Sequence, residues 1–323
     1  MPYGRLAFLG IARETTWGTA VAAADYVRLS PTSYVRPAPE EIEPRSLIGV
    51  WDRPRTLRGM QVHRGELNFE VYPNSFGWFL LGALGPVTTT TPTGATVTRD
   101  HKFSARTSDF SSTCFLQPFT LELFYDMGQS QQFAGAIFEE LSFTVGVREP
   151  IMRAQATVIA RTLADITKTT PAFEATSPFL YTGARVNLPD PTQFVDCQSI
   201  TVTIRNPAEA LALLGGGTTP SRFVAREQRQ VTISGTHLLT KAEWDAFRNA
   251  TERRLVLIVE GGTIEGSFRY TVTVTVPKFR YTRYDAQVDA AGLLSVDWEG
   301  YAVFDFGTDE PLSITLRNSR TAY

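Results

Sequence analysis

Apolar and polar residues alternate with a period of two along much of the chain, and that alternation predicts strands with one buried and one wet face. In Glu66-Leu67-Asn68-Phe69-Glu70-Val71 it puts Leu67, Phe69 and Val71 on one side and Glu66, Asn68 and Glu70 on the other. The same pattern runs through Phe119 to Leu123, Leu141 to Val145, Ser199 to Ile204, Gln230 to Ser234 and Arg269 to Val276. Such strands suit antiparallel sheets with one solvated side, whereas parallel α/β sheets need continuously apolar strands. A mainly β fold is therefore expected. Three short helices are predicted. One starts at Asn206-Pro207-Ala208-Glu209, with an N-cap, proline at the first helical position and a stop at Gly215. Another follows the capping box Thr240-Lys241-Ala242-Glu243 and carries Trp244, Phe247 and Ala250 to about Glu252. The third is the apolar run from Ser75 to Leu84, introduced by Asn74 and too short to cross a bilayer.

The halves follow one order. In the first, a strand (Arg64 to Val71) leads into the apolar helix, then a strand (Phe119 to Tyr125) and a strand pair (Phe138 to Val147, Ile151 to Arg161). In the second, a strand (Gln228 to Thr236) leads into the Thr240 helix. Strands at Leu255 to Glu260 and Phe268 to Val276 follow, then a pair at Lys278 to Val288 and Leu293 to Phe306. The expected organisation is an arm (1–27), a first domain (28–163) with a Thr-rich loop (87–118), and a linker (164–179). A second domain (180–306) and a tail (307–323) complete it. A duplicated chain presents its edges twice, so few copies can form a ring of many equivalent units.

Composition narrows the chemistry. Thirty-one Lys and Arg against 33 Asp and Glu leave a formal charge of −2 with no basic block, which does not point to tight nucleic-acid binding. Met1 to Glu14 holds no apolar core of a secretory leader. Two cysteines, Cys114 and Cys197, are outside any CxxC spacing and exclude a disulfide framework. His63, His101 and His237 lack metal-ligand spacing and are expected at turns or on the surface. No GxSxG elbow or GxxxxGK[ST] loop occurs, and Gly215-Gly216-Gly217 follows its expected helix where a phosphate loop would precede one. The carboxylate pairs Glu139-Glu140 and Asp297/Glu299 could serve glycoside hydrolysis. Asp297 and Glu299 flank Trp298 in an alternating strand, however, which marks a solvated sheet face. Phe279, Tyr281, Tyr284, Trp298 and Tyr301 could form a sugar-binding platform, but their spacing fits core positions better. No cofactor is expected, and no catalytic residue is assigned.

The run Gly10-Ile11-Ala12-Arg13-Glu14-Thr15-Thr16-Trp17-Gly18-Thr19 resembles the G-x-x-x-E-x-x-[YW]-G-T opening of long-tailed bacteriophage (siphophage) tail tube proteins. The stretch Ser199 to Gly235 is similar to that family's strand, polar hairpin-like excursion and strand, and the closing Trp298-Glu299-Gly300-Tyr301 strand is also similar. The resemblance implies two tandem β-sandwich or split-barrel tube domains, each with a short flanking helix. It further implies self-association into stacked, trimeric and pseudo-hexameric rings, with the arm, the long loop and the tail joining ring to ring. The partners implied are further copies of the chain, a tape-measure protein, passing genomic DNA that is not bound specifically, and tail-end proteins. The place implied is the virion tail, assembled in host cytoplasm without membrane insertion. The alternative is a β-sandwich carbohydrate- or receptor-binding virion protein.

With four strands of each repeat in a closed inner barrel, polar faces turn to the lumen. The first-half candidates for that lining are Glu66, Asn68, Glu70, Glu140, Ser142, Thr144, Arg153 and Gln155. In the second half they are Thr201, Thr203, Gln230, Thr232, Lys278, Arg280, Asp297 and Glu299. Acids would suit a DNA conduit; Arg153, Lys278 and Arg280 would not. A one-residue slip of register exchanges the two faces of a strand, so the lining is a matter of register.

Overall fold

A computed structural model describes residues 3–44, 52, 55–215, 217–286 and 294–323. Gly216 and the stretch 287–293, which includes the predicted ends of the last strand pair, lie outside the described residues. The first half holds β1 (Phe8–Arg13), β2 (Asp25–Val27), β3 (Tyr34–Ile42), β4 (Leu57–Glu70), α1 (Phe76–Ala83), β5 (Val87–Thr90), β6 (Arg99–Ser104), β7 (Phe119–Phe124), β8 (Gln129–Gly146), β9 (Glu149–Ala160) and β10 (Thr162–Thr167). The second holds β11 (Ala184–Asn187), β12 (Cys197–Arg205), β13 (Ala208–Leu211), β14 (Arg222–Ala225), β15 (Gln230–Leu238), α2 (Lys241–Arg248), β16 (Arg253–Glu265), β17 (Phe268–Ala286), β18 (Ser295–Val303) and β19 (Ser313–Asn318). The fold is mainly β, as the alternation predicts, and consistent with a sandwich.

The two halves repeat one set of antiparallel pairings. β7 pairs with the first part of β8, whose second part pairs with β9; β1 lies beyond β7 and β10 beyond β8. Likewise β16 pairs with the first part of β17, whose second part pairs with β18; β11 lies beyond β16 and β19 beyond β17. Each long strand thus passes from one layer to the other. β8 crosses at Gly135, at a φ of 65°. β17 crosses at Pro277, between Val276, paired with Leu255, and Lys278, paired with Val303. The two strands expected either side of Pro277 are therefore one. A proline without an N–H is tolerated there because the chain is changing partners.

The arm and the tail each contribute a strand to the subunit itself. β1 sits between β2 and β7, and β19 sits between β17 and β6. The Thr-rich loop is largely the β5–β6 hairpin, which β19 fastens to the second half.

The apolar helix forms where expected, and all eight residues of α1 are buried. Phe79 stacks on Phe69 with centroids 4.0 Å apart and packs on Phe138 at 5.3 Å. Ser75 makes no side-chain cap. Glu174, from the linker, takes that place: its carboxylate accepts from Asn74 N and Ser75 N at 2.8–3.2 Å. An anion at a helix N-terminus satisfies its orphan donors and its dipole. α2 is capped by Thr240, whose Oγ1 accepts from Glu243 N. The other arm of the predicted capping box is absent, because the Glu243 carboxylate instead holds Arg253 and the Tyr281 hydroxyl.

The helix expected at Asn206 is not formed. Residues 208–211 are β13, paired with β14 in a hairpin. Asn206 is buried and its capping side chain is spent elsewhere: Nδ2 donates to Ala83 O at 2.8 Å, and Oδ1 accepts from Arg229 Nε at 2.8 Å. The hairpin then lays Phe223 against Trp17, Cys114, Ile137 and Ile159 of the first half. Burial of a phenylalanine, about 2–3 kcal/mol, outweighs a local helix preference of a few tenths per residue.

The chain's end closes over α1. Tyr323 packs on Trp78, His101 and Phe103, and its hydroxyl donates to Asn74 O at 2.9 Å. A Cβ on Gly77 would lie 2.1 Å from the Tyr323 ring. Alanine in a helix ordinarily stabilises, but here Gly77→Ala should cost about 1–3 kcal/mol through overpacking. Urea unfolding should show this loss in the parent and little of it in a Tyr323→Ala background. An equal loss in both would mean that the clash is not its source.

Glu265, at the β16–β17 turn, fastens the tip of the β5–β6 hairpin. Its carboxylate accepts from the amides of Thr96, Val97 and Thr98 at 2.6–3.0 Å and from the Thr96 hydroxyl. These bonds, the Thr96 hydroxyl first, hold its pKa down to about 2. A depressed carboxyl pKa gives a contact that is complete above the ordinary carboxyl range and lost as pH falls through the folded value. Hydrogen exchange at Thr96 to Thr98 should therefore stay well below its intrinsic rate down to about pH 3 and approach that rate near pH 2. In Glu265→Gln it should be faster at neutral pH, and unchanged exchange would show that the tip is held by other contacts.

Candidate functional site

The repeats are joined into one sheet. The second part of β8 pairs with β12, so the strand order β3-β4-β9-β8-β12-β15-β18-β17 runs through both halves without a break. Directly opposed residues on antiparallel strands point the same way, so side chains can be followed in rows across the sheet. One row is Glu66, Thr157, Glu140, Arg205 and Gln230. The next is Asn68, Gln155, Ser142, Thr203, Thr232, Tyr301 and Arg280. A third is Glu70, Arg153, Thr144, Thr201, Ser234, Glu299 and Arg283. Lys278 opposes Val303, and Asp297 lies between Thr236 and Asp285.

Every candidate lining residue named from the sequence falls on this one face, and none is buried. Behind it lie Leu67, Phe69, Leu141, Phe143, Ile200, Val202, Ile204, Ile233 and Trp298, all in the core. Arg205, Arg283 and Asp285 join the face without having been named for it, as does Tyr301, which was expected at a core position. Arg205 ends an alternating run and was legible. Arg283 and Asp285 were not, because a bulge between Tyr281 and Arg283 resets the period of two.

Across the joint the face is a ladder of hydroxyls. Ser142 meets Thr203 at 3.1 Å, Thr144 meets Thr201 at 2.8 Å and Ser199 meets Thr236 at 2.8 Å. Charges flank that ladder with their signs interleaved. Glu140 faces Arg205 at 3.9 Å, Glu66 accepts from Gln155 at 3.1 Å, and Lys278 reaches Asp305 at 3.1 Å. Glu70 lies opposite Arg153, and Glu299 opposite Arg283. Exposed pairs of this kind add little stability, but they leave no long run of one sign.

The remaining chemical candidates do not converge. Glu139 and Glu140 are separated by a β-bulge and serve different arginines, Glu139 binding Arg64 at 2.8 Å. Burial raises the Glu139 carboxyl pKa although Arg64 opposes the shift. The three histidines, expected at turns or on the surface, are buried instead. His101 is held between Thr89, Asn318 and the Arg320 carbonyl, and desolvation lowers the pKa of each ring. Phe279, Tyr281, Tyr284 and Trp298 are core residues packed edge to face, and only Tyr301 of that group is exposed. They offer no aromatic platform to a sugar. Burial pushes both cysteine thiols up to about 12. Among the described residues, no group of three or more His, Cys, Asp or Glu side chains is placed to hold a metal, and no helix is long and apolar enough to cross a membrane.

The Gly10 to Thr19 motif acts as a structural staple. Glu14 is fully buried; Oε1 accepts from Gly135 N at 2.8 Å and Thr120 Oγ1 at 2.7 Å, and Oε2 accepts from Gly18 N at 2.7 Å. Desolvation raises its pKa against those bonds. Trp17 Nε1 donates to Gly135 O, and the Arg161 guanidinium lies 4.5 Å from the Trp17 ring centroid. Gly18 takes a φ of 77° with Arg161 against it, and a Cβ on Gly10 would lie 2.8 Å from that of Ala23. Gly10, Glu14, Trp17 and Gly18 of the motif thus each have a steric or hydrogen-bonding cause, and together they fix the crossing point of β8.

No curated protein matches the chain. A family model described as phage tail tube protein matches residues 4–302. That match takes in the staple, the first repeat, the joint and the second repeat as far as β18, and this chain belongs to the phage tail tube protein family, a structural component of the virion tail.

Proposed function

We propose that three copies of this chain form a ring, that the rings stack into the tail tube, and that the continuous polar face lines the channel through which DNA leaves the capsid. The observation that carries this reading is the β8–β12 joint. It shows the sheet of one repeat passing into the next by ordinary antiparallel pairing. Among the described residues the sheet is left open at both ends, at β3, which pairs with β4 alone, and at the second part of β17, which beyond the Phe279 contact with Arg253 pairs with β18 alone. Open edges invite pairing with another chain. Pro37 and Pro39 in β3 are compatible with an edge strand. Three copies with eight strands each would close a barrel of about 24 strands, wide enough to leave an aqueous channel. Stacking of such rings is heterologous and has no closure, so a filament follows.

The lining supports passage without capture. Retention of DNA requires cations that displace its counterions. Here Arg153, Arg205 and Arg283 lie opposite Glu70, Glu140 and Glu299, and beyond the Glu140–Arg205 pair the polar face of the joint carries only hydroxyls. A tape-measure protein before ejection and proteins at the two tail ends complete the proposed partners, with assembly in the host cytoplasm.

Electron microscopy of the purified chain should show tubes of uniform bore, and brief cross-linking should stop at a trimer. Thr144→Lys with Thr201→Lys, which adds a ring of positive charge at the joint, should leave tubes intact but slow genome release severalfold. A chain that stays monomeric at high concentration, or release unaffected by the added lysines, would count against the ring or the lining respectively.

A further inference from the structure

Two half-buried arginines, Arg106 and Arg229, lie together without an ion-paired acid among the described residues. Arg229 Nε donates to Asn206 Oδ1 at 2.8 Å, and its Nη1 to the Arg106 carbonyl at 3.3 Å. The Arg106 guanidinium lies 5.7 Å from the centroid of the Phe110 ring, and its Nε is buried with no hydrogen-bond partner. Neither side chain forms an ion pair among the described residues. Three other sheltered arginines do: Arg253 binds Glu243, Arg317 binds Asp100 at 2.6 Å and Arg320 binds Asp25. Burial disfavours the charge on both; Asp109 partly opposes this at Arg106, whereas Arg106 further disfavours the charge on Arg229. Confined like charges are costly and persist where something else neutralises them.

These arginines line a groove of about 540 Å³, with Asp109, Phe115, Arg226 and Glu227 also on its wall. Asp109 and Glu227 are exposed and form no ion pair with either arginine. The groove opens where β12 ends at Arg205 and β15 begins at Gln230, at one end of the strands that carry the polar face. Exposed acids mark the opposite end. Glu149 follows the β8–β9 turn, 3.8 Å from Arg153; Asp285, near the end of β17, binds Arg283; Asp297, near the start of β18, forms no ion pair among the described residues.

We propose that the groove is a carboxylate receptor, taking an acidic side chain of a second copy stacked on this end of the sheet. The inference rests on the tube reading and adds its axial contact: an arginine groove at one end and exposed acids at the other give stacking a direction. Bidentate guanidinium–carboxylate pairing suits such a contact, and seating the acid would put a negative charge beside both arginines and relieve their mutual repulsion.

Arg106→Met tests the proposal, because methionine keeps an apolar stem against Phe110 and no side-chain hydrogen bond of Arg106 is lost. The isolated subunit should melt at or above the temperature of the parent, since a repulsion is removed. Tube mass recovered by sedimentation should fall at least tenfold, while cross-linked trimers persist. Tubes as abundant and as salt-resistant as those of the parent would overturn the proposal. As an independent arm, Glu149→Gln, Asp285→Asn and Asp297→Asn are made singly. One should reproduce the stacking defect with trimers intact; normal stacking in all three would overturn the proposal even if Arg106→Met folds poorly. Failure of the unmodified chain to form tubes would instead count against the tube reading itself.

Discussion

The backbone ladder between β8 and β12 is the contact on which the rest of the molecule depends. It runs from Gly146 opposite Ser199 to Glu140 opposite Arg205 and turns two short sheets into one. Without it each repeat would carry an additional open edge, and an exposed edge promotes indiscriminate pairing. The strands here are also buried on one side only, which specifies register strongly, because a slip of one residue would send Ile200, Val202 and Ile204 to solvent. Register in turn decides which side chains form the wet face. The hydroxyl ladder of Ser142, Thr144, Thr201 and Thr203 is therefore a consequence of the core behind it.

Long-range polar contacts then fix the irregular segments to that frame. Glu14 joins the first strand to the bend of β8, Glu174 caps α1 from the linker, Asn206 ties the joint to the end of α1, and Asn318 donates to the Pro73 carbonyl. A buried hydrogen bond contributes only about 1 kcal/mol net, whereas an unsatisfied buried donor or acceptor costs about 1–3 kcal/mol. Their effect is therefore more to exclude other arrangements than to add stability. It also explains why arm, linker and tail, set apart by composition, belong to the subunit's own architecture.

Legibility in the sequence followed locality. The period of two placed the strands and identified the polar face, because both depend on neighbours two residues away. The all-apolar Phe76 to Ala83 segment was legible as a buried helix for the same reason. What failed was decided by distant partners. Asn206-Pro207-Ala208-Glu209 has every local mark of a helix start, yet Asn206 is taken by Ala83 and Arg229, and Phe223 draws the segment into a hairpin. The buried histidines were missed because their partners, such as Asn318 for His101, are remote in sequence. Arg283 and Asp285 were hidden by a single bulge, which no composition signal announces. The Arg106–Arg229 groove was invisible for a related reason, since its two sides come from different repeats.

The duplication bears on how an assembly of such chains can be both regular and directional. The sheet joint is nearly neutral, so within a ring its regularity would come from backbone pairing and from hydroxyls that suit either neighbour. Direction must come from where the repeats differ. They differ most in their insertions: the first carries the β5–β6 hairpin, held at its tip by Glu265, and the second carries the β13–β14 hairpin, which places Arg229 beside Arg106. Insertions of this kind leave the shared sheet undisturbed, because they emerge where strands end. A duplicated chain can thus keep one lining while its two halves take on different external contacts, which a single-repeat subunit could not do within one ring.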